Sequence, residues 1–179
     1  ELVYIDTGFM VYNEITYPNL VRLFKQLEIP TKPTSMSFSV QHLPSGLEYC
    51  GTGLNGLFAQ RKNILSSKYW AMLLDMDRFN KQAPKILDDK KYLDYTVKEY
   101  VREFGLSDDF LYKFLIPMSS AVWSSPPELI EEFPIHTLVM FFKNHGFLGL
   151  RGHFQWRTVT GGSRVYRDKI LAFFKNHVY

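Results

Sequence analysis

Apolar and polar positions along the chain alternate between two periods, and the period predicts the elements. Leu2 to Ile5 is a short apolar run that reads as a strand, broken by Asp6-Thr7-Gly8. Pro18 sits where a first helical turn tolerates it, and Leu20, Leu23, Phe24 and Leu27 follow at helical spacing. This predicts an amphipathic helix to about Glu28, stopped by Pro30 and Pro33. Met36, Phe38 and Val40 alternate with polar residues, a half-buried strand, and Pro44-Ser45-Gly46 turns it into a return strand over Leu47 to Gly51. Gly51, Gly53 and Gly56 read as part of a polar loop.

From Ser67 the period is helical. Trp70, Leu73, Leu74, Met76 and Phe79 predict a long helix ending near Pro84. Further helices are expected over Tyr95 to Phe104, closed by Gly105, and from the Ser107 cap to about Leu115, with Asp108 and Asp109 at its favourable end. A short one begins at Pro126-Pro127-Glu128, and another spans Ile135 to Asn144, closed by Gly146. Gln155 to Thr160 reads as a strand, and Gly161-Gly162-Ser163 leads into a last helix from Arg164 to Phe174. The fold class expected is α+β, a small antiparallel sheet with a helical majority, over one segment, 1–179, with no linker or repeat dividing it.

Composition narrows the function classes. The chain has 179 residues, 46% hydrophobic and 22% charged, enough for a core and too apolar for disorder. Its 15 Phe and 11 Tyr fit a ring-filled core or a ring-lined cavity. A net charge of +3 with no basic stripe gives no support for nucleic-acid binding. The single Cys50 rules out an internal disulfide and a Cys-rich zinc site. His42, His136, His145, His153 and His177 are scattered, with no HExxH pair, and neither a GxSxG elbow nor a P-loop occurs. No apolar run approaches the length of about 20 residues that spans a bilayer. With no signal peptide, these features lead to an expected cytoplasmic location. The chain opens on Glu1 and enters an apolar run directly, so further sequence is expected upstream.

Two turns could meet a ligand. Gly8 could allow a planar group close to the backbone, or Asp6-Thr7-Gly8 could be a plain strand-end turn. Gly161 and Gly162 precede a helix whose first amides attract anions, or they form a tight strand-to-helix turn. Ser119 to Pro127, around Trp123, either lines a cavity or turns the chain about a buried ring. These readings identify no reaction.

Several stretches, taken in order, carry a resemblance: Val3 to Phe9, Tyr17 to Leu20, Met36 to Val40, Gly46 to Tyr49, Leu54 to Arg61, Trp123 to Pro127, Asn144 to Gly146 and Gln155 to Ser163. Together they resemble the NAD/FAD-binding proteins of the flavin-containing amine oxidoreductase superfamily. The resemblance implies a substrate-binding or cap segment of an FAD-dependent oxidoreductase. Its Rossmann FAD-binding parts would lie upstream of Glu1 and beyond Tyr179. It implies Gly8, Phe9 and Met10 beside the isoalloxazine ring, with Gly161 and Gly162 as the other cofactor contact. Trp156 and Arg157 would border the substrate cavity, with Trp123 a further lining residue. The partners implied are the FAD-binding domain of the same chain and a small-molecule or lipid-like substrate. A non-catalytic binding domain that keeps the fold is the alternative. A lipid-binding module built from the helices between Trp70 and Phe142 is a third reading.

Overall fold

The computed structural model describes residues 5–8, 10–149 and 154–174. Leu2 to Tyr4 of the expected first strand, and Phe9, lie outside them. In chain order the elements are β1 (Tyr12–Asn13), α1 (Pro18–Gln26), β2 (Thr31–Thr34), β3 (Ser39–His42), β4 (Leu47–Cys50), α2 (Gly53–Leu57) and α3 (Ser67–Gln82). There follow α4 (Val97–Glu103), α5 (Asp108–Phe110), α6 (Ile116–Trp123), α7 (Pro127–Ile130), α8 (Ile135–His145), β5 (Trp156–Val159) and α9 (Arg164–Ala172). The class is α+β with antiparallel sheets. The described residues form two compact units, 5–36 with 154–174, and 37–149. No shift in composition marks either boundary.

The smaller unit is a three-stranded sheet with β5 in the centre and β1 and β2 at its edges. The sequence pattern does not predict β2, because Thr31-Lys32-Pro33-Thr34 has no apolar alternation. It pairs with β5 from Thr31 opposite Val159 to Thr34 opposite Trp156, and an edge position is where a strand tolerates Pro33. α1 and α9 supply apolar cover. Phe24 is buried with Tyr12, Ile29 and Val159, touching Tyr12 edge-on at 5.3 Å and Tyr166 at 5.5 Å. Lys169 on α9 donates to the carbonyls of Leu27 and Glu28, so a cation closes the C-terminal end of α1.

The larger unit is helical, with the β3–β4 hairpin packed on it. α3, α4, α5 and α8 turn their apolar stripes onto one core, where Phe79, Tyr100, Phe110, Leu115, Leu138 and Phe142 are buried. The hairpin docks through Tyr49, whose hydroxyl donates to the Lys113 carbonyl at 2.7 Å. Thr96 and Glu99 form a reciprocal capping box at the start of α4. Next to it, the Val97 and Ile135 amides donate to Phe133 and Tyr95, tying the starts of α4 and α8 together.

The helix from Ser107 does not stop near Leu115. It widens into a π-helical turn over Leu111–Leu115 and continues as α6 to Trp123. Pro117 cannot donate to the preceding turn, and a widened turn ahead of it accommodates the ring. The stretch from Ser119 to Trp123 is therefore helix, ended by Ser124 in the left-handed conformation at φ 48°.

Candidate functional site

The smaller unit brings together residues from opposite ends of the sequence. The Asp6 carboxylate, half-buried, accepts from the Ser163 amide with both oxygens at 3.0 Å. Ser163 stands directly before α9, so Asp6 is the anion that this helix start attracts. Gly161 and Gly162 both adopt left-handed φ, 89° and 83°, and the Gly162 amide closes the turn onto the Val159 carbonyl at 3.2 Å. A Cβ on Gly162 would meet the Asp6 carboxylate at 3.4 Å, and one on Gly161 would meet Val165 at 3.1 Å. The two glycines thus make a strand-to-helix turn whose first free amide is already occupied by a carboxylate of the same chain.

Gly8 is different. It is exposed, its φ is unremarkable, and among the described residues a Cβ there would meet no atom within 4 Å. Nothing among the described residues of the smaller unit requires glycine at this position. Met10 is 61% exposed, and its carbonyl accepts from the Thr158 hydroxyl at 2.8 Å, which holds the start of the chain to β5.

Trp156 and Arg157 are successive residues of the central strand and so point to opposite faces. Trp156 is buried, paired across the ladder with Asn13 and Thr34. The Arg157 guanidinium donates to the Thr31 hydroxyl at 2.9 Å and to the Thr31 carbonyl at 3.3 Å, and lies 3.5 Å from Glu14. Its charge and fork are engaged by β2 and by a carboxylate. Trp123 belongs to the helical unit, where its ring packs on Phe133 at 5.0 Å and Phe141 at 4.7 Å. There the partly buried ring packs against the helical core.

The sequence holds one further pattern. Gly51, Gly53 and Gly56 match the G-x-G-x-x-G spacing of a dinucleotide turn and follow a strand directly. The structure gives the spacing another use. Among the described residues β4 pairs only in an antiparallel hairpin, and α2 is five residues long, whereas a dinucleotide turn needs a parallel strand–helix–strand unit. Gly53 takes φ 68°, and a Cβ on Gly56 would stand 2.8 Å from the Cys50 carbonyl, so the glycines let α2 fold back on β4.

Two pairings lay outside the reach of local sequence signals. Asp6 and Ser163 are 157 residues apart, and Thr31 and Arg157 are 126 apart. Among the described residues, no three His, Cys, Asp or Glu side chains converge as a metal site would require, and no helix is long and apolar enough to cross a membrane. No protein-family model matches the chain, and no curated protein matches it.

Proposed function

We propose that the chain is the substrate-side segment of an FAD-dependent oxidoreductase of the amine-oxidase type. It would act on a small or lipid-like molecule, with the part that grips the dinucleotide supplied by sequence outside residues 1–179. The flavin supplies the hydride chemistry in such enzymes, and the protein supplies orientation and a dry pocket. The observation that carries the reading is the meeting of Asp6 with Ser163. The strand-end turn and the Gly-Gly turn, the two stretches the resemblance assigns to the flavin edge, lie side by side although the chain separates them by most of its length. Gly8 and Met10 stand exposed on the strand-end side, free to meet a ring from outside the unit.

A non-catalytic domain with the same fold is the second reading. It is favoured by Arg157 and the Ser163 amide, which are engaged by Thr31, Glu14 and Asp6 of the chain itself.

Gly8→Trp separates the two. A Cβ at Gly8 meets no described atom within 4 Å, so a side chain can be attached there without a clash at its root. In the protein purified with its FAD-binding sequence, the visible flavin bands should be present in the parent and lost in the variant, whose melting temperature should match that of the FAD-stripped parent, since bound cofactor itself raises it. A variant that retains its flavin, or a parent that stays colourless after FAD is added, would sink the oxidoreductase reading.

A further inference from the structure

One lysine of the helical unit is held among aromatic rings. Asp89 caps a short 3-10 turn over Lys90–Tyr92, its carboxylate accepting from the Lys91 amide at 2.9 Å. The Lys91 ammonium lies 4.9 Å from the centre of the Tyr92 ring and 5.4 Å from that of Tyr95. Both distances fall within the cation–π range of about 6 Å. The two rings stand edge-on to each other, their centroids 5.2 Å apart and their planes at 74°, so they form two walls of a corner. Glu103, the last residue of α4, supplies the third side. Its carboxylate accepts from Lys91 at 2.5 Å and from the Tyr92 hydroxyl at 3.1 Å.

The walls are fixed by the core rather than by the lysine. Tyr92 packs on Phe104 at 6.0 Å and on the fully buried Tyr100 at 6.4 Å. The Tyr95 carbonyl accepts from the Ile135 amide at 2.9 Å, which ties that residue to the start of α8. Lys91, in contrast, is 49% exposed on a flexible stem. Exposed ion pairs hold weakly, so another cation displaces Lys91 at a cost of at most about fivefold in affinity. Without Lys91, Glu103 has no ion-pair partner among the described residues. Tyr92 also lines an open cleft with Gln82, Lys85, Ile86, Asp89 and Phe104. The charges on that cleft, Lys85 and Asp89, are one of each sign, so selection of a cation rests on the corner itself.

We propose that Tyr92, Tyr95 and Glu103 form a binding site for a quaternary ammonium group, with Lys91 as the chain's own occupant that such a group displaces. Ring faces set at a steep angle, with a carboxylate beside them, are the physical requirements for recognising this group. A lysine ammonium is compact and strongly hydrated, and it is drawn toward its carboxylate. The Glu103 hydrogen bond raises the Lys91 pKa, and Lys91 in turn holds the Glu103 carboxyl below the usual carboxylate range. A trimethylammonium head donates no hydrogen bond and gives up less water. It rests on the ring faces, with Glu103 balancing its charge. The inference stands on the helical unit alone and does not depend on the flavin reading.

The test is a proton NMR titration of the purified chain with choline and, in parallel, with its uncharged isostere in which carbon replaces nitrogen. Seated between two ring faces, the choline methyl signal should move upfield and saturate, and the isostere should show neither change. Lys91→Gln vacates the corner at an exposed position and should tighten binding by up to about fivefold, with the circular dichroism unchanged. Lys90→Gln removes the same charge from the neighbouring residue and should leave the affinity within about twofold of the parent, because exposed charges are screened. Tyr95→Leu should weaken binding by about 2- to 30-fold. Glu103→Gln should weaken it as well, and it reads the same site if Tyr95→Leu does not fold. Nε-trimethyllysine in place of choline tells whether the group arrives on an amino-acid stem or on a small alcohol, and saturable binding of either supports the proposal. No saturable binding of either to the Lys91→Gln protein, equal binding of the isostere, equal tightening by Lys90→Gln, or indifference to Glu103→Gln would each overturn it.

Discussion

Asp75 offers the sharpest test of how the helical unit is held together. It lies on α3 and is 7% exposed. One carboxylate oxygen accepts from the Ser107 amide at 2.9 Å, and the other accepts from the Arg78 guanidinium at 3.0 Å. Arg78 in turn donates to the Phe104 carbonyl at 2.9 Å, at the end of α4. One carboxylate therefore fixes the corner between α4 and α5, where Gly105 turns the chain at φ 58°. Asp75→Ala removes a hydrogen bond to a charged acceptor, a loss of about 1.5–3 kcal/mol. The Arg78 side chain is 45% exposed, so solvent screening limits its share of the loss to about 1 kcal/mol or less. The sum, about 2–4 kcal/mol, corresponds to a fall in melting temperature of about 4–16 °C for a chain of this size. Asp75→Asn keeps an acceptor for Ser107 and should lose less than half as much. Thermal melts followed by circular dichroism measure both. An Asp75→Ala protein that melts within about 1 °C of the parent would refute the clamp.

Gly56→Ala should cost about 1–3 kcal/mol, because the new methyl meets the Cys50 carbonyl at 2.8 Å and backbone must move. Gly51→Ala, with its nearest contact at an ordinary 3.6 Å, is the control, and equal urea midpoints for the two would contradict the account. Burial pushes the Tyr69 phenol up to about 12 and raises Tyr49 and Tyr100 as well. The folded chain therefore holds these protons more tightly than the unfolded one, so stability is unaffected below the ordinary phenol value of about 10 and falls as pH rises above it. Absorbance titration should show these three of the 11 tyrosines ionising late or only with unfolding, and a single wave near 10 with the fold intact would contradict the burial.

Where a segment buries a regular stripe, the sequence alone places it well. α8 is legible from Leu138, Val139 and Phe142, all buried, and from Gly146, which ends it at φ 70°. α3 is legible for the same reason. β2 is not, since its four residues are held by what β5 offers across the ladder rather than by any pattern of their own. The run through Pro117 misleads because proline ordinarily ends a helix, and only the widened turn before it keeps the helix going. For the site, the glycines of the last turn are visible in sequence, but the carboxylate that faces them is not, because nothing local links Asp6 to Ser163. Trp123 reads equally as cavity wall or packing from its neighbours in sequence. Phe133 and Phe141, on which its ring packs, lie on the other side of a turn, out of reach of a local reading.

The smaller unit is split in sequence by the larger one, and this sets an order of events during synthesis. Residues 37–149 are contiguous, so the helical unit can fold as soon as it leaves the ribosome. β1 and β2 emerge first but have nothing to pair with until the central strand arrives, and Thr31 waits 126 residues for Arg157. At ordinary rates of translation that delay is about 6–25 s. Throughout it, two short strands stand with open edges beside a nascent chain, and Pro33 and Lys32 on one of them are the residue types that discourage pairing with the wrong neighbour.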